Sequence, residues 1–446
     1  MAQPYEPSVA VEFEQSNLTT FRLINYTIES AYMTSADAFS FTLYEEDITQ
    51  LRNLELQPVS LYIDGNLQVR GRIEVTETGQ GPGLAVKCSG RDYIADLVEC
   101  HVDPALAITD KMKLDQVVKL AAKPVGIDAV SFDASVWRNE RAGKAISSPL
   151  GVRSFQNAPL KDYKANPGEG IFQFLARLCA RFGCTLQPTM QRNSVLLGAP
   201  DYVQEVGYRV SRSRTNPQSA HNNVLRAVAK RDYSKFPTVV LVTGKAGGAA
   251  AQRTTTAATS YQPGVIERLQ NSFLHKSFGG NYAIPQQAVA VAKAASADLG
   301  PQQATTIPSN IEETIYALLP EGVPIISQRI PPKTTTPTPV GALYRLFYMR
   351  DTLSKDANQV MNAAARAAAE RLKDALQYEI TFLGHKDPET GRTYAVDTVI
   401  DVQDDICGVN ELMWVERVAF NYEQGSGATT TVTCWRPGSF GIGAGT

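Results

Sequence analysis

Apolar and polar residues alternate with a period of two through most of residues 58–99, the mark of half-buried strands. In PVSLYIDGNLQVRGRIEV the apolar positions are Val59, Leu61 and Ile63, then Leu67, Val69, Ile73 and Val75. Asp64-Gly65-Asn66 divides the two runs. An Asp-Gly flanked by alternating apolar residues predicts a hairpin. A third run through Leu84, Val86 and Cys88 ends at Gly90-Arg91-Asp92, which reads as a structural corner, and residues 93–99 begin a new element. Upstream, Val9, Val11 and Phe13 alternate, as do Phe39, Phe41 and Leu43. About five or six strands in the first hundred residues are enough for a small antiparallel barrel or sandwich.

The period changes after residue 100. Leu114, Val117, Val118 and Ala121 recur at helical spacing, and Pro124 and Gly126 stop that helix. A second helix is predicted from Asn166 as N-cap, with Pro167 at the first position, Glu169 at the third, and Gly183 ending it. Ile171, Phe174, Leu175, Leu178 and Phe182 form its apolar face. CTLQP and SVLLG follow as short strands, so this stretch is a small α/β unit between β-rich segments. Alternation returns in 222–230, and 238–243 reads as a buried strand. Residues 244–340 are rich in Pro, Thr, Gln and Gly and predict long loops. The Ala-rich stretch 358–379 predicts a long helix, with Met361, Ala364, Ala368, Leu372 and Leu376 as its buried stripe and an Arg366–Glu370 pair outside. Four strands close the chain at 378–383, 398–402, 412–420 and 428–435.

Composition narrows the setting. A chain of 446 residues predicts several domains. With 43% hydrophobic and 20% charged residues and a net charge of -2, nothing predicts bulk attraction to nucleic acid or anionic lipid. The first residues carry no basic and apolar leader pattern, and no run of about 18 apolar residues predicts a membrane helix. The six cysteines are scattered without a CxxC pair, which fits a reducing compartment better than a disulfide framework.

The search for chemistry is mostly negative. His101, His221, His275 and His385 lack HExxH spacing. Cys179 and Cys184 flank a helix end and are read as packed core residues. Cys100-His101 is an adjacent pair, whereas a nucleophile and its base are brought together in space. Gly244-Lys245-Ala246-Gly247-Gly248 lacks the spacing of a phosphate loop and reads as a flexible loop; GQGPG at 79–83 reads as a turn. Asp401, Asp404 and Asp405 read as a solvated strand end in preference to a cation site. Arg209, Arg212 and Arg214 form a basic patch that fits a subunit interface or a solvated strand face. No catalytic, metal-binding or cofactor-binding residue is expected, no cofactor, and no enzyme activity.

Taken in order, VSLYIDGNLQVRGRIE, SGRDYIADLVEC, NPGEGIFQFLARLCARFGCTL, RSRTNPQSAHNNV, the Ala-rich helix and the closing strands through Met413-Trp414-Val415-Glu416-Arg417-Val418 resemble a known family. They are similar to the baseplate hub proteins of contractile-tailed phages, of the Mu tail-protein and P2 late-control type. The resemblance implies a mainly β fold with α+β parts. It would hold two small antiparallel β-barrels of tail-tube type, an inserted α/β domain and a long Ala-rich helix. Residues 1–99 would form the first barrel, completed by about 200–235, and residues 100–199 the inserted domain. Residues 236–357 would form the second barrel with a long loop insertion, and 358–446 a helix plus strands completing the second half. The implied function is that of a structural homotrimer whose six barrels make a pseudo-six-fold ring. That ring would join a hexameric tail tube, or a tube-initiator protein, to a trimeric central spike among other baseplate proteins. DNA would pass through as cargo. The place would be the tail baseplate of a virion, assembled in the host cytoplasm. A tail-associated cell-wall hydrolase, or the hub of a tailocin or other phage-derived injection particle, are the alternatives.

Overall fold

The computed structural model describes residues 7–14, 22–32, 36–45, 54–80, 84–109, 112–132, 164–181, 184–189, 191–198, 204–213, 223–232, 239–245, 254–258, 289–290, 346–351 and 376–436, with Pro200 and Lys373. The first six strands are β1 (Val9–Phe13), β2 (Arg22–Ala31), β3 (Ala38–Glu45), β4 (Pro58–Ile63), β5 (Asn66–Gln80) and β6 (Leu84–Asp92). They pair antiparallel in the order β1-β4-β5-β6-β3-β2. The expected hairpin joins β4 to β5 through two residues, Asp64 (φ 50) and Gly65 (φ 78). Positive φ at both matches the right-handed twist of the flanking strands, and Asp and Gly tolerate it best. Alternation delivers Phe39, Phe41 and Leu43 to the buried face together with Leu61, Ile63 and Ile73.

The corner at Gly90-Arg91-Asp92 is a place where two backbones touch. A Cβ on Gly90 would lie 2.0 Å from the carbonyl oxygen of Arg72, and one on Gly71 would lie 2.0 Å from that of Arg91. Only glycine allows β5 and β6 to approach so closely. A bulge between Ile73 and Val75 bends β5 at the same level.

The chain then leaves for a separate unit: α1 (Ala95–Glu99), α2 (Leu114–Ala122), β7 (Ala129–Phe132), α3 (Ile171–Arg181), β8 (Thr185–Pro188) and β9 (Ser194–Gly198). Its sheet runs β7-β9-β8, with β7 parallel and β8 antiparallel to β9. It has its own core around Leu97, Val117, Phe174, Leu178 and Val195. Helix α2 stops at a 3-10 turn over Lys123–Val125 and at Gly126 (φ 84), as its sequence predicts. Helix α3 begins at Ile171, later than its capping pattern predicts, because Gly168 (φ 74) turns the chain first. Glu169 still tightens that turn, accepting from the Asn166 N–H at 2.8 Å and from Arg177 at 2.7 Å.

The remaining strands are β10 (Val206–Arg212), β11 (Val224–Lys230), β12 (Val239–Lys245), β13 (Thr254–Ala258), β14 (Val289–Ala290), β15 (Leu346–Asp351), β16 (Gln377–Leu383), β17 (Val399–Asp404), β18 (Val409–Glu423) and β19 (Gly427–Trp435). Six of them follow the order β10-β17-β18-β19-β16-β11, antiparallel except for β10 with β17. The strands of 200–235, expected beside the first set, are thus hydrogen-bonded to β17 and β16. Strands β12 to β15 make a small sheet of their own, with β12 bonded to each of the other three. Gly244 and Lys245, expected in a flexible loop, are the last residues of β12, opposite Thr255 and Thr254. Backbone pairing takes up part of the stretch that composition marks as loop; the rest lies outside the described residues. So does the body of the Ala-rich helix. Lys373 is helical, but 377–379 already belong to β16, so the helix ends before its predicted limit.

Strand β18 ties the molecule together. Its first part pairs with β17, from Val409 opposite Asp404 to Trp414 opposite Val399. Its second part pairs with β2, from Arg417 opposite Ala31 to Glu423 opposite Asn25. The change of partner falls at a bulge between Val415 and Arg417. There the Tyr32 N–H donates to the Glu416 carbonyl at 2.8 Å. The result is a single twelve-stranded sheet in two six-stranded halves, mainly β, with the α/β unit as the α+β part.

Candidate functional site

Function in such a sheet has two natural seats: the join between the halves and the strands left open at its ends. The join is more than the β2–β18 ladder. The turn after β16 folds back over the first half and sets His385 against Tyr26, 359 residues away in sequence. The Tyr26 hydroxyl lies 2.6 Å from His385 Nε2, and His385 Nδ1 lies 2.8 Å from Thr430 Oγ1. Thr430 donates its own proton to the Gly384 carbonyl at 2.7 Å, so it accepts from Nδ1–H. That leaves Nε2 as the acceptor for Tyr26. His385 is fully buried, edge-on to Phe420, and burial drops its pKa to about 4 against a weaker upward pull from Asp64. Beside it, Lys386 pairs with Asp64 of the β4–β5 turn at 2.9 Å, and Thr27 donates to Asn421 at 3.2 Å.

A second polar centre closes one end of the second half. Asp404 accepts from the Tyr378 hydroxyl at 2.6 Å, from Arg212 at 2.9 Å, and from the N–H groups of Ile406 and Cys407 at 2.9 and 3.0 Å. Burial opposes its ionisation, but Tyr378, Cys407 and Arg212 together hold its pKa below the ordinary value. Asp404 and Asp401 are therefore not a solvated strand end. Both are buried because β17 is flanked by β10 and β18, and only Asp405 is exposed. Burial raises the pKa of Asp401, whose nearest cation is Arg209 at 3.9 Å. The basic patch divides: Arg212 is a half-buried ion-pair partner, Arg209 faces outward, and Arg214 lies outside the described residues.

Arg91 and Asp92 form the corner the sequence implies. Arg91 reaches Glu74 at 2.8 Å and Glu99 at 2.9 Å. Asp92 is buried, accepts from the N–H groups of Ile94 and Asp37 at 2.9 Å each, and faces a second carboxylate, that of the half-buried Asp37. Burial, then Asp37, raises the Asp92 pKa to about 7; burial raises that of Asp37 to about 6. Cys179 and Cys184 are packed core residues, with the Cys184 thiol donating to the Cys179 carbonyl at 3.4 Å. His101 is exposed and His221 and His275 fall outside the described residues. Among the described residues no three His, Cys, Asp or Glu gather as a metal site, and no helix is long and apolar enough to cross a membrane.

Sequence reasoning missed His385, Tyr26 and Thr430. No spacing links them, since the fold alone brings them together. The only local signal was a histidine at the start of a turn rich in Asp, Pro, Thr and Gly.

Strands β1, β10 and β11 are paired on one side only among the described residues. Unpaired strand edges are templates for pairing with another chain unless they are covered. Strand β11 leaves Leu225 and Val228 exposed.

No family model and no curated protein matches this chain. Solved structures do. The tail protein from Neisseria meningitidis MC58 superposes with a TM-score of 0.63 at 18% identity, covering 99% of each chain. The prophage MuSo2 43 kDa tail protein from Shewanella oneidensis gives 0.62 at 14% identity, covering 97% of this chain and 99% of that one. At such identities the likeness is one of fold: this chain has, nearly end to end, the fold of these two phage tail proteins.

Proposed function

We propose that the chain is a structural subunit of a phage-type tail, the baseplate hub of the Mu tail-protein and P2 late-control type. In this reading it assembles as a homotrimer. Three copies of two six-stranded halves give six similar units around a ring, which joins a six-fold tail tube or tube initiator to a three-fold central spike. Other baseplate proteins surround it, DNA passes through its channel, and assembly takes place in the host cytoplasm before the hub becomes part of the virion. It catalyses no reaction. The observation that supports this best is the division of one continuous sheet into two halves of six strands with open edge strands. Pairing between copies would give those edges a use. The hub of a tailocin or injection particle is the same reading in another particle.

Gold-labelled antibody against this chain, applied to purified tail particles, tests the proposal. Label at the baseplate end, with particles lacking the chain failing to attach spike to tube, is the expected result. Label along the tail shaft would overturn it. So would cell-wall cleavage by the purified chain that one Asp or Glu substitution abolishes.

A further inference from the structure

Exposed large apolar residues fall mainly in two places. In the first half, Leu56 is 66% exposed and its backbone bonds to Ile73, at the β5 bulge that leads to the half-exposed Val75. Leu56 has a φ of 61, a left-handed conformation that leucine rarely adopts. Hydrogen bonds hold it there: its N–H donates to the Ile73 carbonyl at 2.9 Å, and the Ile73 N–H donates to the Gln57 carbonyl at 3.1 Å. Backbone strain that lifts an apolar side chain into water has no value to the isolated fold. The charges around it are unbalanced. Among the described residues, the ion pairs of Glu74, Glu77 and Glu99 are with Lys87 and Arg91, and Arg91 serves two carboxylates; Glu55 accepts from its own backbone N–H and from the Thr76 hydroxyl and has no ion pair there.

The second place lies on the other half. Leu225, 57% exposed, occupies the bulge in β11, and Val228 and Leu383 lie on the outer face of β11 and β16. Arg226 and Lys230 share that face, both exposed and without an ion pair among the described residues. Glu379, opposite Val228, is the one acid between them. Six strands separate β5 from β11 along the sheet. One patch is apolar with an acidic surplus, and the other is apolar with a basic surplus on a one-sided strand.

We propose that the Leu56–Val75 patch of one copy docks on the Leu225–Val228–Leu383 patch of a second copy of this chain. Apolar residues cover one another at the centre, and the acidic rim meets Arg226 and Lys230. Because the two patches differ, the contact is heterologous and each copy keeps one free patch for the next, which closes into a ring or continues as a filament. The proposal rests on the reading of the chain as a self-assembling tail subunit and names the surfaces that reading leaves open.

Sedimentation of the full chain tests it. The unaltered protein self-associates; Leu56→Glu and Val228→Glu each weaken association about thirtyfold or more, with unchanged circular dichroism and melting temperature. Mixing the two variants then restores dimers and nothing larger, because each carries the one intact patch the other needs. Self-association untouched by both variants overturns the contact and spares the tail-subunit reading. A chain monomeric at every concentration overturns the contact and the homotrimer together. Should a glutamate unfold the chain, Leu56→Ala and Val228→Ala take its place with the same outcomes at smaller shifts.

Discussion

Acid should loosen the join between the two halves through one residue, His385. Its pKa is 6.5 in the ordinary state and about 4 in the fold, because the ring is fully buried; Asp64 and the Gly384 backbone offset only part of that. The folded chain thus binds this proton less readily than the unfolded chain. The stability at stake is complete above pH 6.5 and is lost as pH falls toward 4. The difference corresponds to about 3 kcal/mol, a large part of a typical folding free energy. Asp37 and Asp92 oppose it: their folded pKa values are raised, so acid relieves the cost of ionising them. The unaltered protein reports only the balance, and a variant is needed to isolate the histidine. His385→Asn cannot titrate. Its amide can still donate to Thr430, but the Tyr26 hydroxyl loses its acceptor, at a cost of about 1–3 kcal/mol near pH 7.5. Urea unfolding of both proteins at pH 7.5, 6 and 4.5 should show the variant weaker at pH 7.5 and the gap closing by pH 4.5. A gap that stays constant over that range would refute the linkage.

Three further expectations follow from the same geometry. Gly90→Ala places a Cβ against the Arg72 carbonyl and should cost more than about 3 kcal/mol by thermal unfolding. Gly65→Ala, with nothing within 4 Å but a φ of +78, should cost only about 1 kcal/mol; equal losses would contradict the close-approach reading. Asp404→Ala strands Arg212, only 17% exposed, and should cost about 3–5 kcal/mol, while Tyr378→Phe should cost about 1 kcal/mol; denaturant midpoints distinguish them. Asp92→Asn removes a carboxyl whose folded pKa of about 7 lies above its ordinary 3.8, so the cost of ionising it is complete above pH 7 and absent below 3.8. Relative to the unaltered protein, the variant should gain about 3 kcal/mol between pH 5 and pH 8, and a pH-independent difference would contradict the raised pKa.

The strands were legible because alternation reports which face a residue occupies. Phe39, Phe41 and Leu43 could be assigned to a core, and Asp64-Gly65 to a turn, from neighbours in sequence alone. Partners were not legible, since a period of two names a face and never a neighbouring strand. Nothing in the spacing of 206–212 says that it runs parallel to β17. The burial of Asp401 and Asp404 followed from that pairing and was missed with it. Helix α3 shows a smaller failure of the same kind: the capping residues were recognised, but Gly168 gave the backbone another course before the helix began. His385 was invisible as a site because its partners, Tyr26 on β2 and Thr430 on β19, are far apart in sequence and meet only where β18 lies between their strands.

The change of partner along β18 also sets an order of events in time. During synthesis β2 is complete long before the strand that covers it exists; Thr27 waits for Asn421, 394 residues later. Such distant pairing is slow to form, and a half-made sheet offers its bare edge to other chains meanwhile. The first six strands are therefore made before the strand that fills the open side of β2. Once β18 arrives, one strand seals both halves together. A chain ended before β18 would keep the six strands of its first half and leave the far side of β2 open to pairing with other chains.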